Sequence, residues 1–87
     1  MAPLSLSDRI AELYKQEYSQ LLATVIGTVG DFEIAEEAVQ DAFAAALRDW
    51  EKNGTPDKPG AWLTTTARRK AIDRVRRVRS VAFDAQQ

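Results

Sequence analysis

Hydrophobic positions recur along this chain at the helical period. Ile10, Tyr14, Leu21, Val25 and Val29 fall at steps of about four residues or multiples near it, with Leu22 and Ile26 alongside. This stripe predicts a helix over residues 8–29, with Ser5 or Ser7 as its N-cap and Gly30 as its stop. Gly27, inside that span, lowers helix propensity and leaves room for a close helix contact. A second helix is predicted over residues 32–52 behind Asp31. Its first turns carry Glu33, Glu36 and Glu37, which suit the positive end of the helix dipole. Ala35, Val39, Ala42, Phe43, Ala46 and Trp50 form its buried stripe. Residues 53–60 hold two Pro and two Gly, a cluster in which no helix continues. The third helix is predicted from 59 or 60 to 79. Leu63, Ala67, Ala71, Val75 and Val78 lie within an arc of about 120° and make its core face. Residues 81–87 have no clear period and read as a tail or the start of a linker. The expected fold is all-α, a compact antiparallel three-helix domain over residues 1–80 without internal repeats.

Composition sharpens this. Eighty-seven residues suffice for one small domain. Leu, Ile, Val and Phe number 20 against 14 alanines, which favours closely packed helices around a modest core. Cysteine and histidine are both absent. Disulfide scaffolds and thiolate zinc sites are therefore excluded, as are Cys nucleophiles and the commonest general base. No apolar run approaches the length of a membrane span, and no secretory leader pattern is visible, so the cytoplasm is the expected compartment. The net charge of −1 conceals a strong polarity. Residues 1–60 carry 5 Lys/Arg against 11 Asp/Glu, a net of −6, and residues 61–87 carry 7 against 2, a net of +5. Such a chain can offer an acidic face to one partner and a basic face to another.

The basic part is placed to bind a strand. Opposite the core face of the third helix lie Trp62, Thr65, Thr66, Arg69, Lys70, Arg76 and Arg77. Cations that follow a phosphate backbone, with an aromatic on which a base stacks, are what a single-strand site needs. The alternative for Trp62 is packing beneath the preceding loop. That loop, with Asn53 and Lys58, is stiff enough to wall a pocket for an unstacked base. On the second helix Glu37, Gln40 and Asp41 stand at i, i+3 and i+4, so one patch holds all three. Two carboxylates beside an amide suit an Arg-rich partner surface, and the plain alternative is a solvated face. No further carboxylate or histidine at a suitable spacing completes a metal or acid–base site, so neither enzyme chemistry nor a metal or cofactor is expected.

Two blocks in order carry a family resemblance. Ala35-Glu36-Glu37-Ala38-Val39-Gln40-Asp41-Ala42-Phe43 resembles the pattern A-E-D-x-x-Q-[DE]-x-F. After the loop, Ala61-Trp62-Leu63, Ala67-Arg68 and Ile72-Asp73-Arg74-Val75-Arg76-Arg77 resemble W-L-x-x-x-A-R-N-x-x-x-D-x-x-R-R. Together they are similar to region two of extracytoplasmic-function (ECF) sigma factors, over about residues 10–79 and most weakly in the first helix. The resemblance implies a transcription initiation domain that docks on the clamp helices of the RNA polymerase β′ subunit. Glu37, Gln40 and Asp41 would lie on the docking face. It also implies recognition and melting of the minus-ten promoter element, with the non-template strand held by Trp62, the 53–60 loop and the basic side of the third helix, and a base flipped into a loop pocket. The polymerase, not this domain, would make bonds. Arg69 departs from the pattern, standing where the family usually has Asn. A sigma factor also needs a second helical domain for the minus-thirty-five element, so the chain is expected to be an excised domain. The competing expectations are a general helical DNA- or RNA-binding protein, and an interaction module paired with itself or with an anti-sigma factor.

Overall fold

The computed structural model describes the backbone of residues 4–85 and the side chains of residues 4–81. These residues form α1 (Leu6–Val29), α2 (Phe32–Asn53) and α3 (Pro59–Ala85), with no strand among them. Local chemistry sets most of the boundaries. Ser5, in extended backbone, accepts a hydrogen bond from the Asp8 amide at 3.1 Å and caps α1, which leaves Ser7 inside the helix. Gly30 closes α1 at φ 71°, where a side chain is costly, and donates its N–H to the Ile26 carbonyl at 2.7 Å. The next residue, Asp31, already caps α2 by accepting from the Ile34 amide at 3.0 Å. Stop and start in consecutive residues force α2 to turn back along α1.

The connection from α2 to α3 is shorter than the composition suggests. Asn53 still belongs to α2, and its side-chain amide donates to Asp49 one turn back at 3.1 Å. Gly54 ends the helix at φ 84° and donates to the Trp50 carbonyl. Pro59 opens α3 at the first helical position, where a missing N–H is harmless, and the Lys58 carbonyl accepts from Trp62 at 3.1 Å.

The core is small-residue packing around a few large side chains. Ala35, Ala38, Ala42 and Ala46 of α2 and Ala67 and Ala71 of α3 have no exposed surface, so the helices approach closely. Leu63, Val25 and Val39 are the largest side chains sealed among them. α2 supplies seven of the thirteen buried apolar residues, which makes it the central element. At the edges Tyr14 packs edge-on against Phe43, with ring centroids 5.0 Å apart. Trp50 and Trp62 meet edge-to-face at 5.2 Å.

Three expectations are corrected. Gly27 makes no close helix contact: a methyl group placed on it would meet nothing within 4 Å. Val78 is 57% exposed and Val75 only half-buried, so the core face of α3 ends at Ala71. α3 then runs to Ala85 rather than stopping near Arg79. The reason is common to the last two: α3 is antiparallel to α2 and passes the start of α2 with little left to cover it.

Candidate functional site

α3 carries its cations on two flanks. On the outer flank Thr65, Arg68, Arg69, Ile72, Asp73 and Arg76 line one shallow groove. The i, i+3, i+4, i+7 spacing of a helix brings these side chains together. Thr65, Arg69 and Arg76 are among the residues expected from sequence, whereas Arg68, Ile72 and Asp73 are additions. Arg68 stands in the family-like Ala-Arg pair, and Ile72 is 38% exposed in spite of its apolar character. Lys70 and Thr66 are half-buried. Arg77 turns away from the groove. It lines a second hollow with Ile34, Glu37, Arg74 and Val78 where α3 crosses the start of α2.

Trp62 is not opposite the core. It is half-buried, packed against the buried cluster and set on the edge of Trp50. The ring thus packs on the core and leaves part of its surface accessible. Trp50 itself is sealed, and its indole N–H finds no hydrogen-bond partner. It forms one wall of a hollow with Leu4, Leu6, Arg9, Glu51, Gly54 and Thr55, where the α2–α3 loop meets the start of α1. Lys58 is exposed within that loop, and Asn53 is exposed at the end of α2.

The three polar residues of α2 do not form a free patch. Arg74 of α3 reaches across and bridges two of them: one guanidinium nitrogen pairs with Glu37 at 2.5 Å and the other with Asp41. Gln40 turns the other way, donating its side-chain amide to the Tyr14 hydroxyl of α1 at 2.9 Å. The carboxylates remain accessible, Glu37 at 61% and Asp41 at 45% of the side chain, with Arg74 at 32%. A guanidinium that spans two acceptors in fixed geometry is a directional link between helices. Sequence alone did not single out Arg74. Its signal was its place on the wheel, within the core-facing arc of α3 yet charged.

Beside Gln40, Tyr14 and Tyr18 stack with centroids 4.8 Å apart. The Tyr18 hydroxyl lies 3.5 Å from a Glu36 carboxylate oxygen, at the outer limit of a hydrogen bond. Partial burial, and next the negative charge of Glu36, push the Tyr18 phenol above its ordinary pKa. Ser7, Ile10, Ala11, Tyr14, Phe43 and Leu47 are among the residues lining a largely apolar groove between α1 and α2 on this side.

The fold and these surfaces define a three-helix domain with Glu33, Glu36, Glu37 and Asp41 in the first half of α2 and a run of cations, with Asp73 among them, on α3. Comparison with known proteins makes the assignment definite. The Sigma-70 region 2 model matches residues 13–81, and the chain belongs to that family. It is 37% identical over 73 residues to the ECF RNA polymerase sigma factor SigK of Mycobacterium sp. strain KMS, covering 79% of this chain and 36% of that protein. The SigK of strain JLS matches to the same extent. An uncharacterized protein, R00370, of Rhizobium meliloti strain 1021 is 38% identical over 58 residues, covering 67% of this chain and 14% of that protein. The chain thus spans about a third or less of the length of these relatives. No solved structure matches it. No helix among the described residues is long and apolar enough to cross a membrane.

Proposed function

We propose that this domain docks on the β′ clamp helices of RNA polymerase core enzyme through α2 and holds the non-template strand of a minus-ten promoter element on α3. The observation that carries the proposal is the separation of the two charged surfaces in a chain of the sigma-70 region 2 family. Glu37, Gln40 and Asp41 stand on one helix and the groove of Thr65, Arg68, Arg69 and Arg76 on the outer flank of the next. Both partners can therefore be engaged together. Docking presents the carboxylates of α2 to cations of the clamp helices. The strand's phosphates lie along the α3 cations. A base leaving the stack would be received at the hollow walled by Trp50, Gly54 and Thr55, with the free part of Trp62 beside the strand. Holding an unstacked base draws the duplex toward its open form. The domain's share of the work is binding and orientation, and bond-making stays with the polymerase. An anti-sigma factor that covered either surface would silence it.

The strand half is tested by Arg69→Gln and Arg76→Gln. Each removes one cation from the groove, so each flattens the dependence of log affinity on log salt for a minus-ten single strand by about 0.7. An unchanged slope in both variants would remove α3 as the strand-holding surface. Tighter binding of duplex than of single strand would favour a general DNA-binding protein instead.

A further inference from the structure

We propose that Tyr14 of α1 is a positioning residue for the docking face, holding the Gln40 amide so that its carbonyl oxygen, and not its N–H groups, is offered to the partner. The inference rests on the docking reading above and concerns what that face recognises. The Gln40 side-chain nitrogen donates to the Tyr14 hydroxyl at 2.9 Å, across the interface of α1 and α2. A glutamine amide has two N–H donors at one end and a carbonyl acceptor at the other, so fixing one end fixes both. The same side chain lies by the Tyr18 hydroxyl, where it offsets part of the rise that burial and then Glu36 impose on that phenol. A donor favours a phenolate, so the N–H end is again the one that faces the tyrosines.

Tyr14 is itself held. Its ring stacks on Tyr18, with centroids 4.8 Å apart, and meets the buried Phe43 edge-on at 5.0 Å. A phenol anchored on the core in this way gives the amide a fixed acceptor, whereas a glutamine on an open helix face turns freely. With its N–H groups drawn to α1, the exposed Gln40 shows oxygen to the outside, beside the exposed carboxylate of Glu37 and the half-open one of Asp41. The three residues then present acceptors only. Such a face recognises a partner that brings arginine or lysine donors to all three. An amide turned the other way would set a donor against those cations, which costs affinity for that partner.

The test measures binding of the 87-residue chain to RNA polymerase core enzyme, with Tyr14→Phe placed in three backgrounds: wild type, Gln40→Ala and Gln40→Glu. Tyr14→Phe removes the hydroxyl and keeps the ring, so the stack on Tyr18 and the edge contact with Phe43 survive, and thermal melts check that each variant is folded. In wild type it should weaken binding about three- to tenfold, the effect of one lost hydrogen bond. Gln40→Ala has no amide to orient, and Gln40→Glu shows an acceptor whichever way it turns. In both of those backgrounds Tyr14→Phe should add no further loss. Equal losses in all three would show that Tyr14 acts on the fold or touches the partner itself, and no loss in wild type would show that the amide needs no holding. Either result overturns the proposal, while loss of binding in Asp41→Arg keeps the docking reading standing. Wild-type binding by Asp41→Arg would remove the docking face, and the role of Tyr14 with it.

Discussion

At the scale of single residues, Trp62 is packed on the core and yet partly accessible. Trp62 holds the start of α3 on Trp50 and still exposes part of its ring. Trp62→Ala should therefore lower the stability of the domain by about 2 kcal/mol, roughly half the cost of deleting a fully buried Trp. It should also weaken capture of a minus-ten single strand by about 1–3 kcal/mol under conditions where the variant is folded. Urea denaturation without loss of stability would contradict the packing, and unchanged strand affinity of the folded variant would contradict the stacking. Tyr18 gives a pH-dependent counterpart. Its folded-state pKa is raised, first by burial and then by Glu36. The stability linked to it is thus fully present below the ordinary phenol range and is lost as pH rises through the folded value. Glu36→Gln should bring the Tyr18 titration, followed by ring NMR shifts, part of the way down, because burial remains. A titration that does not move would remove Glu36 as a cause.

At the scale of elements, α1 and α2 were almost fully legible because their ends are decided locally. Ser5, Gly30 and Asp31 act on backbone groups three or four residues away, so their chemistry is written in adjacent letters. α3 was less legible. Its cover runs out where α2 begins, and the helix continues past Arg79 without a buried stripe to announce it, with Val81 68% exposed. The Arg74 link was hidden for a different reason. It depends on the register of α3 against α2, which the alanine-lined interface sets and no local pattern encodes. The two glycines of the α1 end separate these effects. Gly27 is helical and free of neighbours, so Gly27→Ala should raise stability by about 0.5–1 kcal/mol. Gly30 is left-handed, and Gly30→Ala should destabilise by about 1 kcal/mol. The same sign for both in thermal melts would contradict the assigned end of α1. A third element-scale feature is the start of α3, which has no acidic residue in its first turn. The Glu17 carboxylate of α1 lies close enough to touch a methyl group on Gly60, at 3.8 Å, and places negative charge where the helix dipole favours it.

At the scale of the molecule, a net charge near zero hides two surfaces of opposite sign, and the fold puts them on different helices with one arginine between them. The acidic patch was legible as a set of three residues. What they face was not, since Gln40 serves α1 while Glu37 and Asp41 serve α3. Membership of the sigma-70 region 2 family fixes the frame in which these surfaces are interpreted. The central claim is that α2 is the docking face for polymerase, and it is tested most directly by measuring binding of the chain to RNA polymerase core enzyme. Three forms are compared: wild type, Asp41→Arg, and the reversed pair Asp41→Arg with Arg74→Asp, which restores an ion pair between α2 and α3 in the opposite sense. Docking through the α2 carboxylates predicts binding by the wild type and loss of at least tenfold in both variants, about 1.4 kcal/mol or more, with the reversed pair as stable as wild type. Wild-type affinity in the reversed pair would show that the ion pair serves the fold alone and that polymerase does not dock on this face.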